Sequence, residues 1–433
     1  NCCKKLSNQH ILVLFQLIGI NHIDNMWRLF SSLSLFFLLL IQNVYHCKCF
    51  QNPNRGFQKT RGTLDQHVQR KVSSINPEES RPMTLDEYKE STRERRRTVF
   101  GHDNWRKHRE SKRHYRNMKN IFVSDIIGTI RNEVLAVGAV ATAIYIYNDV
   151  ICSGALDQFV GFNLVDDKIK LQSLPFTIGT TALGLLLVFR TTQGYTRWKD
   201  ARITWGGVIN RSFDLVRGGL TYFGALDGYK NTPEIIELKK ELTMRTIVFA
   251  RCLKSHFRDN PDNESILKKE LTELLNENEA ERIMEAKHRP LRAVQDLSDC
   301  LRRGRMTDLQ LNIVDKSVAF YCDAIGVSER IFKTPIPLAY TRHTSRSLTI
   351  WLLGLPFCLY NDLGTPWEQI LTIPESMAIA VFFYGIEEIG VQIEEPFSIL
   401  PMEAMGDAIE RNCKEMLYNH LKKTGVELPE SEW

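Results

Sequence analysis

The chain has 433 residues, 25% of them charged, and a formal net charge of +5 at pH 7. A charge this small for the length does not indicate a nucleic-acid partner, and the negative mean hydropathy means that any membrane segments are diluted by polar sequence. The 10 cysteines contain no C-x-x-C pair, so the sequence predicts neither a metal site nor a disulfide framework.

Residues 1–49 are predicted to be upstream sequence and a signal peptide rather than part of the fold. The first methionine is Met26, Arg28 supplies a positive charge, and residues 33–41 form an apolar run. That run is shorter than the about 20 residues that a helix needs to span a bilayer. We therefore expect Met26 to be the start and residues 1–25 to lie upstream of it.

Residues 50–75 have the composition of a transit peptide, which is basic and poor in acids. Asp65 is the only acid in this stretch. A signal peptide followed by such a stretch, beginning at phenylalanine, resembles the two-part leader of algae with secondary plastids. Cys47 and Cys49 stand where that leader has small residues. The resemblance implies a plastid protein, and the alternative is a secretory signal followed by a polar tail.

Residues 76–120 form a polar segment whose second half is strongly basic. Arginine and lysine recur between residues 93 and 119, with Trp105 and Tyr115 among them. Basic residues interleaved with aromatics fit RNA, but an apolar stretch follows directly. That order favours a juxtamembrane segment on the non-translocated side, in contact with anionic lipid. We therefore expect membrane lipid, and no nucleic acid, as a partner.

Four apolar stretches predict four membrane helices, at about residues 134–151, 171–189, 347–361 and 369–386. They carry almost no charge and occur as two pairs around a charged middle, residues 190–345. Core helices of a soluble protein are the alternative, but such helices usually have one polar face. The pattern favours a membrane protein with a soluble helical part between the two pairs.

The charged middle contains two helical patterns. Leu267, Leu271, Leu274 and Leu275 predict one amphipathic helix, because they recur on one helical face. Farther along, apolar residues occupy heptad a and d positions. These residues are Leu311, Val314, Val318, Tyr321 and Ile325. The heptad stripe fits either packing within one chain or packing of identical helices around a central axis.

The second apolar stretch and the residues after it are specific enough to indicate a family. The stretch begins Ser173-Leu174-Pro175-Phe176, and the residues after it include Phe189, Arg190, Tyr195, Arg197, Trp198, Arg202 and Trp205. Two later blocks, at residues 336–341 and 385–397, follow in the same order as in that family. The chain thus resembles the bestrophin-like anion channels, above all the plant and algal branch of thylakoid voltage-dependent chloride channels. The channel domain would cover residues 121–415 and leave 416–433 as a tail.

That resemblance implies an all-α membrane protein with four transmembrane helices per subunit, assembled as a homopentamer around one axial pore. Carried over residue by residue, the positions that line the pore neck are Leu174, Ile178 and Ala182. A second constriction is implied at Val318. At the start of the neck helix we expect Ser173 as the N-cap and Pro175 in the first turn. Phe176 is expected to turn its positive ring edge towards an anion.

The implied function is passage of chloride, or another monovalent anion such as nitrate, down its gradient across a thylakoid membrane. A bicarbonate channel supplying the thylakoid lumen and a non-conducting membrane scaffold are alternatives. No enzyme is expected, because the sequence has no H-E-x-x-H, phosphate-loop or G-x-S-x-G motif. No cofactor is expected either. Residues 398–403 lack the acidic cluster with which animal members of the family clasp calcium, and calcium needs several converging oxygen ligands.

Overall fold

The computed structural model describes residues 84–121, 124–152, 168–229, 231–363 and 366–425. The regular elements in these ranges are helices, as the sequence predicted. They are α1 (Leu85–Arg95), α2 (His102–Arg109), α3 (Arg113–Lys119), α4 (Asp125–Thr129), α5 (Arg131–Tyr145), α6 (Ser173–Tyr222), α7 (Pro233–His256), α8 (Asn263–Leu274), α9 (Glu277–Glu285), α10 (Arg289–Arg303), α11 (Asp308–Lys333), α12 (Leu338–Asp362), α13 (Pro366–Gln369), α14 (Thr372–Glu394) and α15 (Met402–Lys423). The predicted signal peptide and transit peptide lie outside the described residues.

The chain divides into two compact units. The first unit consists of Asn1–Glu87, Thr129–Leu183 and Arg346–Gly385. The second unit consists of Tyr88–Gly128, Gly184–Ser345 and Ile386–Trp433. The first unit therefore contains most of the predicted membrane stretches, and the second contains most of the charged middle region.

Two helices of the described chain are long and apolar enough to cross a membrane, namely α6 with the turn that follows it, and α14. They correspond to the predicted stretches 171–189 and 369–386. The stretch 134–151 lies on α5 and the π-helical turn Ile146–Ile151 that continues it. The stretch 347–361 lies in α12, which contains Pro356. A membrane helix tolerates such a proline when neighbouring helices satisfy the freed carbonyl group.

Small residues allow close helix contacts in the first unit. A Cβ added at Gly138 of α5 would lie 2.8 Å from the sulfur of Met377 in α14. A Cβ added at Gly354 of α12 would lie 2.7 Å from Cζ of Phe176 in α6. Close approach over glycine is the kind of packing that holds helices together in lipid, where burial of apolar surface supplies no driving force.

A polar cluster ties the end of α5 to the rest of the first unit. The fully buried side chain of Asn148 accepts a hydrogen bond from the Ile169 amide at 2.8 Å and donates one to its carbonyl oxygen at 3.0 Å. The hydroxyl of Tyr360 in α12 donates to Asp149 at 2.7 Å. The acid near the end of the first apolar stretch, whose side chain is 13% exposed, is therefore hydrogen-bonded, which offsets the cost of removing a carboxylate from water.

The second unit is built around α7. All residues from Arg245 to Ser255 are buried, because α8, α10 and α15 all pack against this helix. Phe249 stacks on Tyr321 of α11 with ring centroids 4.0 Å apart. The predicted amphipathic helix is α8, whose Leu267 and Leu271 are buried, so the interpretation of that pattern is confirmed.

The heptad stripe of α11 packs inside the chain. Val314, Val318 and Ile325 are each 3% exposed, and Tyr321 is fully buried. A Cβ added at Gly218 of α6 would lie 2.9 Å from Val314 Cγ2. Of the two interpretations of the stripe, packing within one chain is therefore the correct one.

Val318 does not fit the prediction of a second constriction. Its side chain lies in the hydrophobic core of the second unit, and a side chain enclosed by its own chain presents no surface to an axial opening. The opposite side of α11 is the exposed one, where Leu309 is 74% and Ile313 41% exposed.

Candidate functional site

The first turns of α6 carry the predicted neck residues on one exposed face. The helix begins at Ser173, with Pro175 in its first turn. A proline is tolerated there because the N–H groups of the first turn have no partner within the helix. Leu174 is 67% and Ile178 68% exposed, and Ala182 is exposed as well. Because an α-helix turns by 3.6 residues, these three positions form one stripe along the helix, here called the neck stripe.

The opposite face of α6 packs within the first unit. Leu183 is 4% exposed, and it lies about 140° around the helix from Ile178. The indole N–H of Trp351 in α12 donates to the carbonyl oxygen of Phe176 at 3.4 Å. The helix therefore uses one face for contacts within the chain and leaves the neck stripe uncovered.

Phe176 belongs to the packed face and not to the neck stripe. Its ring lies 6.0 Å from the ring of Trp351 and covers Gly354. The position is about 160° around the helix from Ile178. The ring of Phe176 therefore anchors α6 on α12, and its predicted role, a ring edge turned towards an anion, stays a prediction.

The surface of α6 from Ser173 to Phe189 contains no ionisable side chain. The first charge is Arg190, whose side chain is 6% exposed and forms an ion pair with Glu387 of α14 at 2.5 Å. A buried arginine that is paired in this way stabilises the helix contact rather than attracting ions from solution. The neck stripe is consequently an apolar surface with hydroxyl groups, from Thr177 and Thr181, on its flank.

Arg197 joins the C-terminal ends of two helices. Its guanidinium donates to the carbonyl oxygens of Glu394, at 2.9 Å, and of Thr334, at 2.6 Å, and also to that of Ile331. The last carbonyl groups of a helix lack partners within the helix and carry partial negative charge, so a cation is stabilising there. Arg197 therefore has a structural role.

Some of the remaining motif residues pack against neighbouring side chains, and others are exposed to the surface. Trp205 is fully buried, and Trp198 stacks on Tyr195 at a centroid distance of 5.9 Å. Phe189 is 51% exposed, and Arg202 is exposed. Of the three motif arginines, Arg202 is thus the exposed one.

The start of the basic segment makes contacts that the sequence did not indicate. Arg93 of α1 forms an ion pair with Glu395 at 2.6 Å. Arg97 donates to the carbonyl oxygen of Ser398 at 2.8 Å, and Arg96 donates to Gln392. Arginines at the end of α1 and directly after it thus bind the end of α14 and the turn that follows, whereas α2 and α3 are exposed. A periodicity argument could not have found these pairs, since they are separated by about 300 positions.

A cationic side chain also occupies the turn after Pro396. Arg258 donates to the carbonyl oxygens of Phe397 and of Leu400, the latter at 2.7 Å, and forms an ion pair with Glu403 at 2.6 Å. Arg258 therefore holds the turn after α14 in place through its backbone oxygen atoms and Glu403.

Comparison with known proteins identifies a family. A family model described as Bacterial/Fungal Bestrophin protein matches residues 104–415. The chain is 32% identical over 335 residues to "Voltage-dependent chloride channel 1, chloroplastic" of Arabidopsis thaliana, a match that covers 77% of this chain and 76% of the relative. It is 30% identical over 269 residues to a voltage-dependent anion channel-forming protein of Synechocystis, covering 60% of this chain and 83% of that protein.

Solved structures show the same fold. A variant of a bacterial bestrophin homologue from Klebsiella pneumoniae aligns with a TM-score of 0.55 and 22% sequence identity. The alignment covers 68% of this chain and 100% of the bacterial chain. The helical arrangement described above is therefore one already seen in experimental structures.

Proposed function

This chain belongs to the bestrophin family, and we propose that it is an anion channel whose pore is narrowest along the neck stripe of α6. The resemblance inferred from the motif after the second apolar stretch is confirmed by the family match, and the all-helical fold by the solved structures. The Arabidopsis and Synechocystis relatives are channels and not enzymes, in agreement with the sequence prediction.

The observation that carries the proposal is the uncovered, apolar neck stripe. Leu174 and Ile178 are each about two-thirds exposed on a single chain, at 67% and 68%. Five copies arranged around an axis would bring five such stripes together, and the homopentamer remains part of this proposal. A narrow apolar passage of this kind gates conduction by losing and regaining its water.

Two features of α6 favour anions over cations. The neck stripe contains no acidic side chain, so nothing in it pairs with a cation. The N-terminus of α6 begins at Ser173, and a helix N-terminus carries about half a positive charge. Chloride and nitrate are the anions proposed here, because an apolar neck favours ions that lose their hydration at a small energetic cost. Bicarbonate transport and a non-conducting scaffold are the alternatives to be tested.

We place the channel in a plastid membrane, and specifically in the thylakoid. The support is the plastid location printed in the names of both Arabidopsis relatives, together with the transit-like composition of residues 50–75. The finer assignment to an alga with a secondary plastid rests on the two-part leader alone. A fluorescent fusion of the full chain tests the location, and fluorescence at the cell surface instead of the plastid would overturn it.

The decisive experiment is current recording in planar bilayers with purified protein spanning residues 76–433. Under asymmetric chloride, the current should reverse near the potential expected for anions. Ile178→Ala should alter conductance or its voltage dependence, because it widens the neck. Ile350→Ala, at a position of α12 that is 73% exposed, is the matched control and should leave conduction unchanged.

Three outcomes would redirect the proposal. Equal effects of Ile178→Ala and Ile350→Ala would remove α6 from the pore. Protein that is pentameric but passes no current at any voltage, with chloride, nitrate or bicarbonate, would favour the scaffold. A larger current with bicarbonate than with chloride would support the bicarbonate alternative.

A further inference from the structure

Three potential ligand side chains meet in the second unit, away from α6. His256 is the last residue of α7, His288 is the N-cap of α10, and Glu329 lies near the end of α11. Their ligand atoms all lie within 4.8 Å of one another. Sequence patterns did not indicate this group, since Glu329 is 73 positions from one histidine and 41 from the other.

One carboxylate oxygen is the centre of the group. Glu329 Oε1 lies 3.0 Å from Nε2 of His256 and 3.1 Å from Nε2 of His288. The two imidazole rings have centroids 4.8 Å apart and planes inclined by 31°. Each side chain is between 22% and 30% exposed, so solvent reaches the group while the surrounding helices hold it.

We propose that His256, His288 and Glu329 bind a divalent transition-metal ion of the zinc class. Imidazole nitrogen and carboxylate oxygen are zinc ligands, and tetrahedral bonds of about 2.1 Å place neighbouring donor atoms about 3.4 Å apart. The two nitrogen–oxygen distances, 3.0 and 3.1 Å, require little movement to reach that spacing. Three protein ligands leave the fourth position to a water molecule from the exposed side. The proposal is independent of conduction.

Lys333 leaves one carboxylate oxygen of Glu329 open to an ion. Lys333 lies 3.0 Å from the other oxygen, Oε2, and so leaves Oε1 to the ion.

Metal binding changes one hydrogen bond at the start of α10. Without metal, His288 Nδ1 accepts from the Leu291 amide at 3.3 Å. Coordination through Nε2 places the ring proton on Nδ1, so this bond must break. At 3.3 Å the bond is longer than usual for N–H donors, and its loss is a small opposing effect.

The ion would join three helices at one place. His256 precedes Phe257, whose ring stacks on that of Phe397 at 4.5 Å and meets Phe332 at 5.7 Å. The ligands thus border the aromatic cluster that holds the turn after α14. Bound metal is expected to stabilise this part of the second unit, since an ion that binds the folded state alone raises the unfolding temperature.

The test is a metal titration of the purified full chain after removal of bound metal with a chelator. Zinc binding is measured by calorimetry, and cobalt is used as a spectroscopic probe of coordination by its visible absorption band. We expect one ion per chain and a rise in unfolding temperature with zinc. His256→Ala, His288→Ala and Glu329→Gln should each weaken binding by about tenfold or more, given that even an outer-shell change costs 10–100-fold.

The control is His343→Ala, which removes an exposed histidine of α12 and should leave zinc affinity unchanged. Glu329→Gln keeps the size of the side chain, so an unaltered unfolding temperature without metal shows that it is folded. Equal affinity of the ligand variants and the unaltered protein would overturn the proposal. So would a cobalt band that persists in His256→Ala.

Discussion

The first turns of α6 and the middle of α7 distribute polarity and burial in opposite ways. On α6 the residues from Ser173 to Phe189 carry no charge, yet Leu174 and Ile178 are about two-thirds exposed. On α7 the charged residues Arg245, Arg251 and Lys254 are at most 7% exposed. In a water-soluble protein, apolar side chains are mostly buried and charged side chains mostly exposed. These two segments show the opposite.

Different surroundings explain the two cases. The charges of α7 are buried because each has partners. Arg251 donates to Asp407 and Glu410 at 2.8 and 2.6 Å, and Lys254 donates to Glu270 at 2.6 Å. Such pairs offset the cost of removing charges from water. The apolar residues of α6 are exposed on a single chain, which fits a helix whose remaining neighbours are lipid, a pore and other subunits.

The largest expected effect concerns the buried pairs of α7. Arg251→Ala removes a buried cation from Glu410 and Glu270, which then depend on Lys414 and Lys254, and should lower the free energy of unfolding by about 3–5 kcal/mol. Arg217→Ala on α6 is the matched control, because Arg217 also pairs with an acid, Asp214, but its side chain is 54% exposed. An exposed pair contributes less than about 1 kcal/mol. Chemical unfolding in detergent measures both, and equal losses would break the comparison.

The second effect separates the two faces of α6. Leu183→Ala removes a side chain that is 4% exposed and should lower stability by about 2–5 kcal/mol. Ile178→Ala on the neck stripe should change stability by no more than about 0.5 kcal/mol. Thermal unfolding of the assembled protein is the measurement. A loss at Ile178 as large as that at Leu183 would mean that the neck stripe is packed and not open.

A third prediction concerns conduction alone. Ile178→Ser adds a hydroxyl group to the neck stripe, which should keep water in the neck and raise the open probability, because an apolar constriction closes by dewetting. Stability should stay within about 0.5 kcal/mol of the unaltered protein. Single-channel recording measures the open probability. A decrease, with normal assembly, would contradict gating by dewetting.

The smallest expected effect is a dependence of stability on pH that comes from His420 of α15, which lies beside Lys239 of α7. This buried lysine lies 2.9 Å from Nε2 of His420 in α15. Burial, then Lys239 and Lys423, lower the pKa of His420 below its usual 6.5. The folded state therefore favours neutral His420, and stability is lost as the pH falls below 6.5, where the unfolded chain binds the proton.

Unfolding temperatures measured between pH 7.5 and 5.5 test this prediction. His420→Gln keeps a hydrogen-bonding side chain without the titration, so its unfolding temperature should fall less over that range. If the unfolding temperatures of the unaltered protein and of His420→Gln depend on pH in the same way, His420 is not the source of the pH dependence.

Much of the fold could be predicted from the sequence. The apolar stretches and the leucine pattern of α8 predicted helices, because helical periodicity is a local property. The motif from Phe189 to Trp205 identified the family, and the structure explains its specificity. Arg190 and Arg197 pair with residues about 200 positions away, and each needs the shape of a guanidinium.

The site was only partly predictable. The spacing of Leu174, Ile178 and Ala182 placed them on one face, but spacing does not tell which neighbour covers a face. The family resemblance likewise implied a constriction at Val318 without showing that this side chain packs within the chain. The group of His256, His288 and Glu329 left no local pattern, since each residue comes from a different helix.

The sequence by itself determined the helices, their polarity and the family, because these depend on neighbours within a few turns and on a motif of consecutive residues. Only the tertiary structure decided which apolar stripe is covered, which arginines are paired and which histidines meet a carboxylate. The physical reason is that burial and pairing depend on contacts between helices that are far apart in the chain, as between α7 and α11, where Phe249 stacks on Tyr321.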